Sequence, residues 1–172
     1  MHFNSLFREE KTLIIACHEL DEKDKKEWNE NVFLISSPGN VLQRHSYLLQ
    51  ENFRYYVEDI GCKQIVVVGH NHPQAVEHIL TDASTSQLVA DLTFNRKPLS
   101  QNYLMSKGAL ERALLELNII EQCNLLLEYD FIRERIKARL LTLIGVITAS
   151  ASADASQIYY NGIVYNNLVS LN

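Results

Sequence analysis

The chain has 172 residues, of which 47% are apolar and 22% are charged, with six glycines and three prolines. This length fits a single domain over 1–172, and the apolar content excludes disorder for most of the chain. The formal net charge of -5 excludes the overall positive field that binds a nucleic acid backbone, so no nucleic acid partner is expected.

Three short apolar runs without polar alternation lie at 12–16, 32–35 and 64–69. Such runs are typical of strands that are buried on both faces in a parallel sheet covered by helices. Between the second and third runs, apolar side chains recur at spacings of three and four over 41–59, which predicts an amphipathic helix. Gly61 is a suitable residue to end that helix. The segment 34–68 is therefore predicted to be a strand, helix, strand unit with a right-handed crossover.

The second half of the chain has the pattern of two helices followed by strands. The segment 107–129 predicts one long helix, and 130–139 predicts a second helix with Asp130 as its N-cap. The segment 140–147 reads as a strand, and 159–165 carries a Tyr-Asn-Gly turn signal. Surface loops are expected at 82–101 and 148–157. The predicted fold is α/β, a mainly parallel sheet with helices on both faces.

The cellular location is inferred from three weak signals. No apolar run approaches the length of about 20 residues that spans a bilayer, so no membrane association is expected. The first residues have neither a basic region nor an apolar core of the kind found in signal peptides. The three cysteines are an odd number spaced far apart, which suits a reducing compartment. A cytoplasmic location is therefore expected. Cys62 and Cys123 are expected to be small residues of the core.

Residues that commonly bind metals follow the first and third predicted strands. Cys17 and Glu19 follow the first strand, and His70 and His72 follow the third. Ligands of open α/β sheets bind outside the carboxyl ends of the strands, where these residues would meet. A thiolate and imidazoles together suit Zn²⁺. Because Pro73 favours extended geometry in the preceding residue, both imidazoles could point the same way.

Several segments resemble β-class carbonic anhydrases, in the family's order. Residues 61–70, Gly-Cys-Lys-Gln-Ile-Val-Val-Val-Gly-His, resemble the strand that carries the family's zinc histidine, and 13–17 resemble the strand that ends in its first zinc cysteine. Residues 32–40 resemble the segment Val-Phe-Val-x-Arg-Asn-Ala-Gly-Asn. Residues 118–123 resemble the Asn-Val-x-x-Gln helix, and 141–165 resemble the closing strand and hairpin. The resemblance covers roughly 11–165.

The resemblance implies the β-carbonic-anhydrase fold and a set of site residues. Cys17 and His70 correspond to zinc ligands, and Gly39 and Asn40 correspond to pocket residues. Zinc is the implied cofactor and a small, bicarbonate-like anion is the implied partner molecule. The implied assembly is a homodimer or a dimer of dimers, in which the N-terminal segment 1–11 docks on its partner.

The departures from the family pattern fall on its catalytic residues. The motif Cys-x-Asp-x-Arg reads Cys-His-Glu-Leu-Asp at 17–21, so Glu19 replaces the aspartate and Asp21 replaces the arginine. Asp21 cannot donate the hydrogen bonds of a guanidinium. The motif His-x-x-Cys-Gly reads His-Asn-His-Pro-Gln at 70–74, and Pro73 has no ligand atom. Ser36 replaces the arginine of the third motif.

These departures leave three functional hypotheses. The first is a divergent protein that has lost ordinary CO₂ hydration and retains a pocket for a small anion or another ligand. The second is a zinc lyase with an altered shell of Cys17, His70 and His72, acting on CO₂ or another small electrophile. Glu19 is then a fourth ligand, an acid/base group or, the interpretation we favour, a solvated charge. The third is a structural or regulatory subunit. We favour the first hypothesis because one lost ligand suffices to change the chemistry.

Overall fold

The computed structural model describes residues 10–18, 20, 28–70, 79, 107–148 and 155–165. Within these residues there are six strands, which are β1 (Thr12–Cys17), β2 (Val32–Ser37), β3 (Gln64–His70), β4 (Thr142–Thr148), β5 (Ser156–Tyr160) and β6 (Ile163–Val164). The α-helices of the same residues are α1 (Tyr47–Arg54), α2 (Lys107–Glu128) and α3 (Asp130–Lys137).

The strands form one mixed sheet in the order β2-β1-β3-β4-β5-β6. The pairs β1 with β2, β1 with β3 and β3 with β4 are parallel, whereas β4 with β5 and β5 with β6 are antiparallel. Because β2 and β3 both flank β1, the unit predicted over 34–68 crosses β1 before it returns to the sheet. The predicted α/β fold with a mainly parallel sheet is confirmed.

The core lies on the two faces of the sheet. The larger cluster joins one face to all three described helices through residues such as Leu13, Val67, Phe53, Ile119 and Ile132. The smaller cluster covers the other face and contains alternate residues of β1, β3 and β4, with no helical residue among those described. Alternating side chains of the same strand thus enter different clusters, because successive residues of a strand point to opposite faces.

Burial separates the central strands from the edge strand. Every residue of β1 is buried, as are all residues of β3 after Gln64. The expectation that residues 32–35 are buried on both faces is wrong, since every residue of β2 is only partly buried. The physical reason is its position at the edge of the sheet, where only one of its two sides pairs with another of the described strands.

The predicted helix over 41–59 starts later than its apolar pattern suggests. Residues 41–46 are not helical, and Ser46 caps α1 by accepting a hydrogen bond from the Leu49 amide at 3.3 Å. The helical path continues after α1 as a wider π turn, Tyr55–Asp59. The chain then leaves the helix at Gly61, whose φ of +77° is the left-handed conformation that glycine adopts without strain.

Three boundaries in the second half differ from prediction. Tyr129, not Asp130, is the N-cap of α3, and Asp130 is the first helical residue. The strand predicted over 140–147 runs from Thr142 to Thr148, and Leu140 is exposed. The loop predicted over 148–157 is shorter, because Thr148 ends β4 and Ser156 begins β5. Sheet pairing extends both strands through polar residues, which the composition of the segment does not reveal.

The predicted turn at 159–165 is a tight hairpin between β5 and β6. Tyr160 pairs with Ile163, and the intervening Asn161 and Gly162 have φ values of +47° and +94°. Two positive φ angles are the requirement of the hairpin turns that asparagine and glycine favour. In the part of the chain that the structure describes, no helix is both long and apolar enough to cross a bilayer.

Candidate functional site

Cys17 and His70 end two neighbouring parallel strands. Cys17 is the last residue of β1 and His70 is the last residue of β3. In the register of this pair, Ala16 lies opposite Val68, so both strands finish at the same edge of the sheet. Both side chains are buried, with 2% and 8% exposure. The other proposed site residues, Glu19 and His72, lie outside the described residues, as do the replaced positions 21 and 73.

A loop from β2 extends across this edge of the sheet. After Ser37 the chain makes a short 3-10 turn, Pro38–Asn40, in which Gly39 and Asn40 have φ values of +60° and +57°. This conformation suits glycine, and asparagine adopts it more readily than most residues. Asn40 Nδ2 donates a hydrogen bond to the Val68 carbonyl oxygen at 3.2 Å. The two residues identified as pocket residues are therefore fastened to the end of β3.

Helix α2 holds the same loop from the other side through two buried amides. Asn118 Nδ2 donates to the Gly39 carbonyl oxygen at 2.9 Å, and Gln122 Nε2 donates to Asn118 Oδ1 at 3.0 Å. Gln122 Oε1 accepts a hydrogen bond from the Leu42 amide at 2.9 Å. The side chains of Asn118 and Gln122 are nearly inaccessible to solvent. These hydrogen bonds fix the conformation of the loop, because a buried amide that loses its partner costs free energy.

Two glycines let α2 approach the sheet closely. A Cβ atom at Gly69 would lie 2.3 Å from Ile119 Cδ1, and one at Gly145 would lie 2.6 Å from Ile119 Cγ2. Ile119 therefore occupies the space that side chains on β3 and β4 would take. Since Asn118 precedes Ile119, this close packing also determines how near the Asn118 amide comes to the loop.

Other polar residues at this edge were not predicted from the sequence. Thr148 is 1% exposed and lies opposite His70 in the register of β3 and β4, although the segment it belongs to reads as a loop. Ser37 lies opposite Cys17 in the register of β1 and β2. Both residues stand within two positions of the end of an apolar run, and this is the sequence signal that Ser37 and Thr148 share.

The described residues do not complete a zinc site. Cys17 and His70 are ligand types that zinc accepts, but a structural or catalytic zinc site uses at least three protein ligands. Among the residues described here, no group of three histidine, cysteine or acidic side chains could hold a metal ion. The described strands thus contribute two donors, one fewer than a zinc site needs.

The remaining cysteines are core residues, as predicted. Burial raises the pKa of the Cys62 thiol to about 11, an effect that the positive charge of Lys11 partly opposes. Burial also raises the pKa of the Cys123 thiol, far above its ordinary range. Both residues pack in the larger cluster and remain protonated at neutral pH. Neither thiol is a candidate nucleophile or metal ligand.

A surface cavity lies away from these residues. It has a volume of about 540 Å³ and is lined by residues of α1 and of the junction between α2 and α3, including Arg54, Tyr129 and Phe131. None of the residues proposed from the sequence lines it. Its charged groups pair with residues around it, as Glu128 does with Arg44 at 3.4 Å. The strand ends therefore remain the candidate site.

Comparison with known proteins identifies the family. A family profile described as carbonic anhydrase matches residues 26–154 of the chain. A sequence search of curated proteins gives no match.

Solved structures with the same fold include three from fungi. The β-carbonic anhydrase CafD of Aspergillus fumigatus is 20% identical, with a TM-score of 0.65, over 87% of this chain and 90% of that chain. CafA of the same fungus is 19% identical, with a TM-score of 0.68, over 89% and 77%. The tetrameric β-carbonic anhydrases of Sordaria macrospora include one that is 18% identical, with a TM-score of 0.65, over 90% and 83%. Because the profile spans most of the chain and the sheet has the same fold, the protein belongs to the β-carbonic anhydrase family.

Proposed function

We propose that this protein binds a small, bicarbonate-like anion at the carboxyl ends of β1 and β3 and does not carry out ordinary CO₂ hydration. The observation that carries the proposal is Pro73, which stands where the family has its second zinc cysteine. Proline offers no atom that can bind a metal. The described strands contribute Cys17 and His70, which are fewer ligands than a zinc site needs.

The second replacement supports the same proposal. The family places an arginine where this chain has Asp21, and that arginine pairs with the acidic residue two positions before it. Here the two positions are Glu19 and Asp21, both acidic, so no guanidinium holds the first carboxylate in place. Hydration of CO₂ requires a metal-bound hydroxide at neutral pH, and both replacements disfavour such a centre.

The hydrogen bonds that hold the pocket loop do not depend on a metal ion. The loop of Gly39 and Asn40 is fastened to β3 and to α2 by buried hydrogen bonds. A preorganised loop of this kind binds a ligand without a large cost in ordering. In our proposal Asn40 and His70 supply the polar contacts that orient the anion, and the surrounding apolar strands exclude water.

The test combines metal content, catalysis and binding on one purified sample. The protein is produced in zinc-supplemented medium, its zinc is measured by elemental analysis, and CO₂ hydration is followed by stopped-flow. We expect less than one zinc per chain, hydration at the uncatalysed rate, and bicarbonate binding detected by ¹³C NMR line broadening. The variant Pro73→Cys should raise the zinc content.

Matched variants separate the site from general effects on folding. His70→Ala should weaken bicarbonate binding, whereas His45→Ala, at an exposed histidine outside the site, should not. The bicarbonate affinity of Cys17→Ser is compared with that of Cys62→Ser, since both thiols are buried to the same degree. Metal-dependent hydration by the wild-type protein would contradict the proposal and would favour the altered zinc shell of Cys17, His70 and His72.

We also propose a homodimer or dimer of dimers in the cytoplasm, with segment 1–11 docking on the partner copy. The support is the tetrameric state named for the Sordaria macrospora enzymes. Light scattering of the full chain and of a variant lacking residues 1–11 tests this assembly. The proposal would be contradicted if the full chain were a monomer, or if the number of chains in the assembly stayed the same after the deletion.

A further inference from the structure

We infer that the cavity between α1 and the junction of α2 and α3, here called the junction cavity, binds a small organic cation that carries an ammonium group on an apolar body. This site is separate from the anion site proposed above, because Cys17, His70 and Asn40 are not among the residues that line the cavity. Its volume of about 540 Å³ lies within the range of about 300 to 1,000 Å³ that is usual for small-molecule sites. The junction cavity is therefore large enough to hold such a ligand.

Both apolar and acidic side chains line the junction cavity. Leu125, Tyr129 and Phe131 supply aliphatic and aromatic surface, and Leu125 is buried. Glu128 and Asp130 contribute two carboxylates. A site of this composition holds a ligand by its apolar body and orients it through a few polar groups.

The Tyr129 hydroxyl is a buried polar group that the protein leaves unused. Its oxygen is nearly inaccessible to solvent and has no hydrogen-bond partner in the protein. Such groups are uncommon in folded proteins, because a buried polar atom without a partner costs free energy. Tyr129 and Glu128 are consecutive and both line the junction cavity, which places a phenol and a carboxylate at one site.

The electrostatic potential at the Tyr129 hydroxyl is negative. Burial raises the pKa of Tyr129, and the negative charge of Glu128 raises it further. The phenol therefore stays protonated at neutral pH, because ionising it would place a second negative charge beside the first. The same potential attracts a cation and repels an anion.

The ion pairs around the junction cavity carry more negative than positive charge. Among the described residues, the pairs that include its lining or continue from it join four cationic side chains to six carboxylates. Glu128 is held loosely, since its contact with Arg44 is 3.4 Å long and Arg44 also binds Glu121. A well-formed charge-assisted hydrogen bond measures about 2.7 to 2.9 Å. Glu128 can therefore exchange this contact for a cation of the ligand.

Arg54 is the lining residue that would favour an anion instead, but its guanidinium is already engaged. Its nitrogens contact Glu58 at 3.4 Å and Glu51 at 3.9 Å. Its carbon Cζ lies 4.9 Å from the centroid of the Phe131 ring, which is within the distance of a cation–π contact. The aromatic wall of the junction cavity thus already holds one cation against its surface.

These groups define the ligand that fits them. Carboxylates only accept hydrogen bonds and the phenol oxygen also accepts, so the ligand should present N–H donors with a positive charge. The apolar lining favours a hydrocarbon body next to that charge. Benzylammonium combines both features. Benzyl alcohol and benzoate are matched probes of similar size, neutral and anionic respectively.

The experiment compares the dissociation constants of these three probes by NMR titration of the full chain at neutral pH and constant ionic strength. One hydrogen bond to a charged group corresponds to about tenfold in affinity. We expect benzylammonium to bind about tenfold more tightly than benzyl alcohol, and benzoate to bind more weakly than both.

Matched variants assign the binding to the junction cavity. Glu128→Gln should abolish the preference for benzylammonium over benzyl alcohol, because it removes the charge. Tyr129→Phe keeps the ring and should weaken benzylammonium binding about fivefold, the equivalent of one hydrogen bond. Glu30→Gln and Tyr160→Phe are the same substitutions at exposed residues outside the lining, and they should leave the affinity unchanged.

Tyr129→Phe has a second readout that a structural role would not produce. Because the hydroxyl has no partner, the variant should unfold at the same or a higher urea concentration while it loses affinity. Equal affinity for benzylammonium and benzyl alcohol, tighter binding of benzoate, or no binding of any probe would overturn the inference. Unchanged benzylammonium affinity in Glu128→Gln and Tyr129→Phe would overturn the assignment to this cavity. Bicarbonate binding is measured separately, so its failure would refute the proposed function and leave the cation site standing.

Discussion

The amides of Asn118 and Gln122 give the most quantitative test of how the loop is held. Asn118→Leu keeps the branched shape of the side chain and removes both of its hydrogen bonds. The Gly39 carbonyl and Gln122 Nε2 then remain buried without partners. Each such group costs about 1 to 3 kcal/mol, so the free energy of unfolding should fall by about 2 to 6 kcal/mol.

The double variant makes the expectation sharper. Gln122→Leu also leaves two buried groups without partners, the Leu42 amide and Asn118 Oδ1. Asn118→Leu combined with Gln122→Leu again leaves two, the Gly39 carbonyl and the Leu42 amide. The double variant should therefore lose about the same 2 to 6 kcal/mol as either single variant, whereas independent sites would add to about twice that loss.

Urea unfolding measures these differences. Trp28 is the only tryptophan of the chain and packs against the smaller cluster, so its fluorescence reports on the fold. Asn52→Leu, the same substitution at an exposed asparagine of α1, is the control and should change stability by less than about 0.5 kcal/mol. A loss of less than about 1 kcal/mol for Asn118→Leu, or additive losses in the double variant, would refute the reasoning.

Three further predictions concern packing, pH and surface charge. Gly145→Ala should lower stability by about 1 to 3 kcal/mol through overlap with Ile119. Gly108→Ala, where a Cβ atom meets no other atom within 4 Å, should be neutral or stabilising. Thermal unfolding compares the two variants, and equal effects would contradict the close packing. Because the pKa of Cys62 is raised to about 11 in the folded state, its contribution to stability is complete below about pH 9 and lost as pH rises to about 11; urea titrations from pH 8 to 11 should show a fall that is smaller in Cys62→Ala. Arg44→Ala removes exposed ion pairs and should cost less than about 1 kcal/mol in urea unfolding, and a larger loss would show that these pairs act as a buried network.

The sequence by itself determined the elements whose local pattern of apolar residues is clear. The runs at 12–16 and 64–69 are apolar without alternation, and both are fully or almost fully buried strands. The helix predicted over 107–129 is α2 to within one residue. The order of the family's segments, and Pro73 among them, was also readable directly from the residues.

The boundaries and the exposure of single residues depended on tertiary contacts. Thr148 and Ser156 are polar, yet they continue strands because β3, β4 and β5 supply backbone partners. Residues 41–46 match the apolar spacing of a helix, but the loop that begins at Ser37 is drawn toward β3 and α2 by hydrogen bonds. Local patterns do not encode which strand is at the edge, so the partial burial of β2 was not foreseen.

The candidate site divides in the same way. The sequence by itself determined that Cys17 and His70 follow strands and that Pro73 cannot bind a metal. Only the tertiary structure decided that α2 fastens the loop of Gly39 and Asn40 and that Ser37 Oγ and Asn40 Oδ1 remain without partners. The physical reason is that the hydrogen bond between Asn118 and Gly39 joins residues that are 79 positions apart. A contact at that separation is set by how closely α2 packs on the two glycines of the sheet, and the residue types alone do not specify it.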